Sequence, residues 1–252
     1  MKSVQSPLVK EPTKAPTGIA GFDEITGGGL PRGRTTLLVG GPGSGKTVLA
    51  LQFLAHGAQD CKEPGIFVAF EESSKRIVAN ATSFGWKLAE LLGKKKLFFM
   101  DAQLLPDLVQ SGDFDLGGML AALEAQTREM KAQRIVFDAL DIIMALLPDA
   151  AARMREIYRL HEWLLAHQLT GLITLKASGE ETSSISQQPF GFMQFMVDCT
   201  VILNHSVVLG VSQRNLRVQK YRGSSFDEDE SPFVIGKGGL EVRTRMREVS
   251  PP

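Results

Sequence analysis

Short apolar runs alternate with longer stretches of helical period from residue 17 to about residue 242. Thr35–Val39 is apolar and rich in β-formers, so it reads as a buried strand. Lys46–Gln59 follows, with Val48, Leu49, Leu51, Phe53 and Leu54 marking a mostly buried helix. Gly65–Phe70 is a second strand, and Ser73–Leu92 one or two helices broken near Gly85. Lys96–Met100 reads as a short strand, Leu116–Lys131 as a helix, Arg134–Phe137 as a strand, Ala150–His167 as a helix and Gly171–Leu175 as a strand. Strands separated by helices of this length need crossover connections, which is the arrangement of a parallel sheet covered on both faces. After Thr200 the pattern shifts to short β-type runs at Val201–Leu203, Val207–Gly210, Leu216–Tyr221 and Phe233–Ile235. Hairpin turns are expected at Asn204-His205-Ser206 and at Ser212-Gln213-Arg214-Asn215. The predicted fold is therefore α/β: a mostly parallel twisted sheet with helices on both faces and a C-terminal antiparallel β extension.

One globular domain is expected over residues 17–242. Residues 1–16 carry Pro7, Pro12 and Pro16 with few apolar side chains and read as a flexible arm. Residues 243–252 are basic, end in two prolines and read as a tail or the start of a linker. The 252 residues are 43% hydrophobic and 22% charged, which excludes a mainly disordered, collagen-like or coiled-coil chain. Lysine plus arginine and aspartate plus glutamate both number 28, so no global field draws the chain to nucleic acid or an anionic membrane. No apolar run approaches the ~20 residues of a membrane span, and the N-terminus has no apolar segment of a signal peptide. Cys61 and Cys199 have no zinc spacing and no disulfide framework, so two reduced thiols in a cytoplasmic protein are expected. His56, His161, His167 and His205 are scattered and read as structural or surface residues.

The chemistry centres on Gly40-Gly41-Pro42-Gly43-Ser44-Gly45-Lys46-Thr47, a G-x-x-x-x-G-K-[ST] run between a predicted strand and a predicted helix. Glycines let the backbone turn its N–H groups onto a phosphate, and the helix N-terminus adds partial positive charge. Lys46 supplies a mobile charge to the β- and γ-phosphates, and the Thr47 hydroxyl suits Mg²⁺. Such a metal also needs a carboxylate at a neighbouring strand tip, where Asp138 follows Ile135, Val136 and Phe137, with Asp141 in reserve. Glu71 and Glu72 stand directly after a strand, where adjacent residues point different ways, so one can address the attacking water. Lys220 and Arg222 are two apart on one strand face, far along the chain from Lys46. They read either as edge-strand charges or as groups reaching a neighbouring subunit's γ-phosphate.

Gly18-Ile19-Ala20-Gly21-Phe22-Asp23-Glu24 with Gly27-Gly28-Gly29-Leu30-Pro31-Arg32-Gly33, running into the phosphate loop, resembles the opening of KaiC-type ATPases, in the RecA-like branch of P-loop proteins. Glu71-Glu72, Ser83-Phe84-Gly85-Trp86 and Lys220-Tyr221-Arg222-Gly223 are similar to that family in order and spacing, so the likeness covers residues 16–242. The resemblance implies ATP and Mg²⁺ bound between subunits of a homohexameric ring, with slow hydrolysis. It implies that Glu71 and Glu72 act on the attacking water, with Glu71 also beside the metal. Gly41 to Thr47 and Val48, with Ser83 and Phe84, would lie beside the nucleotide. Lys220, Tyr221, Arg222 and Ser224 would contact the nucleotide, Lys220 and Arg222 by reaching the next subunit's γ-phosphate. Clock members of the family carry two such domains in tandem, and this chain resembles the first, mainly ATP-hydrolysing one. Clock or signalling proteins are then the expected partners.

The chain departs from that pattern at Phe226 and Glu228, where a His and a Lys are usual, at Lys176-Ala177-Ser178, where Thr-Glu is more frequent, and at Ala139, where a hydroxyl residue is usual. Two other classes share the same machinery. A DNA-pairing ATPase of RecA type needs a basic mobile loop, and the candidate, residues 178–188, holds Glu180 and Glu181 without a Lys or Arg. An autophosphorylating kinase needs acceptors, for which Thr182, Ser183, Ser184 and Ser186 are available.

Overall fold

The structure is a computed structural model, and it describes residues 13–103, 116–177 and 191–243. The loop at 178–188 and its hydroxyl acceptors, the segment 1–12 and the tail 244–252 lie outside the described residues. The strands are β1 (Lys14–Ala15), β2 (Leu30–Pro31), β3 (Thr35–Gly40), β4 (Gly65–Ala69), β5 (Leu97–Asp101), β6 (Arg134–Asp138), β7 (Thr170–Lys176), β8 (Cys199–Val208), β9 (Val211–Tyr221), β10 (Ser231–Gly236) and β11 (Gly239–Val242). The helices are α1 (Phe22–Ile25), α2 (Lys46–Gln59), α3 (Ser74–Asn80), α4 (Leu88–Gly93), α5 (Leu116–Met130), α6 (Leu140–Met144), α7 (Ala150–Ala166) and α8 (Met193–Met196). One sheet runs in the order β11-β10-β9-β8-β3-β7-β6-β4-β5. From β8 to β5 every described pairing is parallel, and β9, β10 and β11 continue the sheet antiparallel.

The side chains of each central strand divide between two cores with period two. On one face Leu38, Phe67, Ala69, Val136 and Leu172 pack with α2 and the β10–β11 hairpin. On the other Leu37, Val39, Ile66, Val68, Ile135, Phe137, Ile173 and Leu175 pack with α5, α6 and α7. The expected parallel sheet with helices on both faces is therefore the observed one. The antiparallel extension is present too, but its turns are not where the sequence put them. Neither Asn204-His205-Ser206 nor Ser212-Gln213-Arg214-Asn215 is a turn. β8 and β9 run through both as one long ribbon, with His205 paired to Arg214, and the chain reverses at Leu209-Gly210. Polar residues along this ribbon are exposed on a solvated antiparallel pair, which the sequence makes look like loop.

The end of the expected arm is held as well. β1 pairs with β2, and Ala15 is buried. The Lys14 ammonium donates to the Ser224 hydroxyl at 2.6 Å and lies 4.9 Å from the centre of the Tyr221 ring.

At the end of the sheet where the strands start, Arg134 is fully buried. Its Nε donates to Glu63 Oε2 at 2.7 Å, its Nη1 donates to the Pro16 and Phe53 carbonyls at 2.8 Å each, and its guanidinium lies 4.5 Å from the centre of the Phe53 ring. Arg32 donates to the other oxygen of Glu63 at 2.5 Å. Gly57 is required here, because a Cβ on it would stand 2.5 Å from the Arg134 Nε. Burial pushes the Glu63 carboxyl up, but the hydrogen bond from Arg32 and the charge of Arg134 outweigh it and leave it below the ordinary value. A depressed carboxyl binds its proton less readily folded than unfolded, so its stabilisation is present above the ordinary carboxylate range and is lost as pH falls through the folded value. Glu63→Gln should cost about 3 kcal/mol or more at pH 7 by urea unfolding, since it leaves Arg134 buried without its counter-ion. The gap between wild type and variant should narrow as pH falls below about 4.

Candidate functional site

The loop from Gly40 to Gly45 joins β3 to α2 where the parallel strands end, the side of an open α/β sheet at which ligands bind. Gly43 and Gly45 hold φ of 70° and 100°, so both occupy backbone space that side chains avoid. At Gly45 a Cβ would also stand 2.9 Å from Ile235 of β10. Ser44 is buried, and its Oγ has no hydrogen-bond partner. Lys46, the first residue of α2, folds its ammonium back onto the carbonyls of Gly40 at 2.7 Å and Gly41 at 3.0 Å. Burial lowers its pKa, against the pull of Asp138 and Asp141.

Period two explains what gathers around it. Asp138 shares its parity with Val136, so it faces α2, and it accepts from the Thr47 hydroxyl at 2.8 Å. Thr174 shares the parity of Leu172 on β7 and donates to the other Asp138 oxygen at 2.5 Å. Burial raises the Asp138 pKa, while the bonds from Thr174 and Thr47 and the charge of Lys46 oppose the rise. Lys176 continues the same row, and its ammonium donates to Glu71 Oε1 at 2.8 Å. Glu71 in turn continues the row of Phe67 and Ala69 on β4. The hydrogen bond with Glu71 is the chief cause that raises the Lys176 pKa. Glu72 turns the other way, to Arg76 at 3.1 Å and Asn80 at 3.2 Å on α3. Asp141 accepts the backbone N–H of Lys176 at 3.1 Å. A cavity of about 290 Å³ is lined by Thr47, Glu71, Glu72, Arg76, Ile77 and Asp138. A larger cleft of about 610 Å³ beside α4, lined among others by Lys62, Lys87 and Lys96, contains none of these groups.

The chemistry of the cluster fits a triphosphate with Mg²⁺. An orphaned hydroxyl of the loop, a lysine bonded to the carbonyls of that loop, and a hydroxyl–carboxylate pair of hard oxygen donors from α2 and β6 meet at this end of the sheet. Among the described residues no group of three His, Cys, Asp or Glu could hold a metal by itself, so phosphate oxygens and water would complete the shell.

Other expected residues lie apart. Phe84 stacks on Trp86, 4.6 Å between ring centres, and the Trp86 Nε1 donates to the Gly238 carbonyl at 3.0 Å. Ser83 is in the same 3-10 turn, Ala81–Phe84, and Val48 is half-buried on α2. This group flanks the phosphate loop through the β10–β11 hairpin, whose Ile235 meets Gly45. Tyr221 is buried, and its hydroxyl donates to the Gly29 carbonyl at 3.0 Å; burial pushes that phenol well above its usual range. Ser224 accepts from Lys14.

Lys220 donates to the carbonyls of Gln194 at 2.5 Å and Val197 at 2.6 Å, and Arg222 to that of Phe195 at 2.6 Å. Burial and then the charge of Arg222 lower the Lys220 pKa. Neither cation reaches the phosphate loop of its own chain. Tyr221 is level with Cys199 and Thr36, whereas Leu203 is level with Gly40, about 13 Å further along the strand. Conversely, the structure adds groups that the sequence reading left out: Thr174, Lys176, and Arg214, whose Nε donates to the Gly43 carbonyl at 3.4 Å. Strand parity could have found the first two.

A family model described as "ATPase: KaiC" matches residues 15–247. The circadian clock oscillator protein KaiC of Thermostichus vulcanus is 39% identical over 229 residues, covering 90% of this chain and 44% of that protein. The circadian clock protein KaiC2 of a Synechocystis strain is 36% identical over 234 residues, covering 91% of this chain and 40% of the relative. The KaiC of a Prochlorococcus marinus strain is 36% identical over 242 residues, covering 96% and 47% respectively. The chain thus spans less than half the length of these relatives.

If Asp138 is held by its two hydroxyl donors, Thr174→Val should leave one carboxylate oxygen buried without its partner. The expected cost is about 1–3 kcal/mol at pH 7, read by chemical denaturation. A variant as stable as wild type would show that water already serves that oxygen.

Proposed function

The chain belongs to the KaiC ATPase family, and on that premise we propose that it binds ATP with Mg²⁺ and hydrolyses it slowly, between subunits of a homohexameric ring. The observation that carries this reading is the row Thr47–Asp138–Thr174 beside Lys46, on the α2 face where the parallel strands end. The unit responsible is residues 17–242. Gly41, Gly43, Ser44 and Gly45 wrap the phosphates with backbone N–H groups, Pro42 shaping the turn between them, and the Ser44 hydroxyl gains an acceptor. Lys46 exchanges its carbonyls for phosphate oxygens. Thr47 and Asp138, with Glu71, would hold Mg²⁺, which would supply neutralisation of the phosphate charge. Val48, Ser83 and Phe84 flank the nucleotide on the cis side.

Glu71, with Glu72, orients the attacking water and accepts its proton as the water oxygen bonds to the γ-phosphorus and ADP leaves. Lys220 and Arg222 act in trans on the neighbour's γ-phosphate, with Tyr221 fixing their strand and Ser224 their loop. Their distance from the phosphate loop of their own chain supports that assignment, and so does their shared direction. A cytoplasmic setting suits the free Cys61 and Cys199, and among the described residues no helix is long and apolar enough to cross a membrane. Clock or signalling proteins are the partners this reading names.

Replacing Glu71 and Glu72 together by Gln should leave ATP binding in place and reduce hydrolysis by about 10²–10⁴-fold, measured as phosphate release. An unchanged rate would move the base to Asp141. Arg222→Ala should lower hydrolysis by about 10³-fold or more. Mixing Arg222→Ala subunits with Lys46→Ala subunits should restore part of the rate, because some interfaces then join an intact phosphate loop to an intact arginine. No recovery in rings shown to exchange subunits would return Lys220 and Arg222 to a role within their own chain.

A further inference from the structure

β7 runs between β3, which carries the phosphate loop, and β6, which carries Asp138. Lys176 is the last residue of β7 and pairs in register with Gly40, the first residue of the phosphate loop. Its parity, shared with Leu172 and Thr174, turns its side chain to the α2 face, the face on which Lys46 and Asp138 meet. Its backbone is pinned there by Asp141, which accepts its N–H at 3.1 Å. Its ammonium donates to Glu71 at 2.8 Å. Both partners are partly open to solvent, 39% and 55% exposed. An ion pair of that exposure is weak, so it opens readily when a stronger anion comes within reach. A terminal phosphate above the loop is such an anion, carrying more charge than a carboxylate and three acceptor oxygens.

We propose that Lys176 is a cis positioning residue that exchanges partners, holding Glu71 while no γ-phosphate is bound and shifting to the γ-phosphate when ATP enters. This rests on the ATP-hydrolysis reading above. With the triphosphate bound, Glu71 is released from the ammonium and its carboxylate is free for the water. The water oxygen forms its bond to the γ-phosphorus, the bond from phosphorus to the ADP oxygen breaks, and the proton of the water passes to Glu71. Lys176 keeps its protons throughout. ADP has no γ-phosphate, so Lys176 returns to Glu71 when the product is ADP. The exchange therefore distinguishes ATP from ADP inside one chain, independently of any neighbour.

The test uses the full chain with Mg²⁺ and two probes, ADP and a non-hydrolysable ATP analogue, titrated calorimetrically. Lys176→Met should weaken the analogue by about tenfold or more while ADP affinity changes by less than about twofold. Lys176→Arg should keep most of the analogue's affinity. In the Glu71→Gln background the selective loss should persist, because it arises at the phosphate. In steady state, Lys176→Met should lower kcat as well as raise KM. Equal weakening of both nucleotides, or of neither, overturns the proposal, and Lys176→Gln serves as the check should the Met variant fold poorly. Wild type that binds neither probe overturns the ATP-hydrolysis reading and this one with it. Wild type that binds and hydrolyses ATP, with Lys176→Met unchanged, overturns this proposal alone.

Discussion

Asp138 is a carboxylate 9% exposed at the end of a central strand, and the site is arranged around keeping it there. Burial disfavours its charge, and three groups counter that: hydroxyls from α2 and β7 and the ammonium of Lys46. Lys46 and Thr47 come from α2 and Thr174 from β7, so the carboxylate fixes where α2 begins relative to β6 and β7. Thr47 cannot reach it unless the phosphate loop turns tightly, and the loop turns tightly only through Gly43 and Gly45. The left-handed glycines of the loop and the buried charge of the strand tip are thus two sides of one constraint.

The opposite end of the sheet solves a similar problem differently. Arg134 begins the strand that Asp138 ends, and it too is buried. There the charge is met by a carboxylate, two carbonyls and an aromatic face, a closed set that leaves little for a ligand. At Asp138 the donors are two hydroxyls, with the charge of a nearby lysine that is itself bonded to carbonyls of its own loop. One end of β6 is locked by a buried ion pair and the other is left able to exchange partners, which is the difference between an anchor and a site.

The parallel core was legible because its strands are continuous apolar runs divided by helices, a pattern that few other folds produce. The phosphate loop and Asp138 were legible for a local reason: each sits at a junction that a motif or a strand end marks. The β8–β9 ribbon was misread because exposed strands carry polar residues on both sides, as in Ser212 to Asn215, and composition alone then looks like a turn. Thr174 escaped notice, and Lys176 stood out only as a departure from the family pattern, because their meaning is lateral. They matter through the strands beside them, and sheet order is set by tertiary pairing that no short window contains. Tyr221 shows the converse: a residue inside a recognisable motif whose hydroxyl serves the core through Gly29.

The sheet also separates two sets of cations. Lys46 and Lys176 stand where the parallel strands end, and Lys220 and Arg222 lie about 13 Å away along them, near the level where β3 starts. In this structure neither set contacts the other's partners: Lys46 holds carbonyls of the loop, and Lys220 and Arg222 hold carbonyls around α8. Lys220 and Arg222 meanwhile hold the last carbonyls around α8, which keeps two long side chains in one direction. Two cations aligned in one direction are suited to meet an anion from outside their own chain. On the proposed reading the cis pair would govern which nucleotide sits in the loop and the distant pair would supply charge only where another copy is docked, so occupancy and assembly would be read by separate groups.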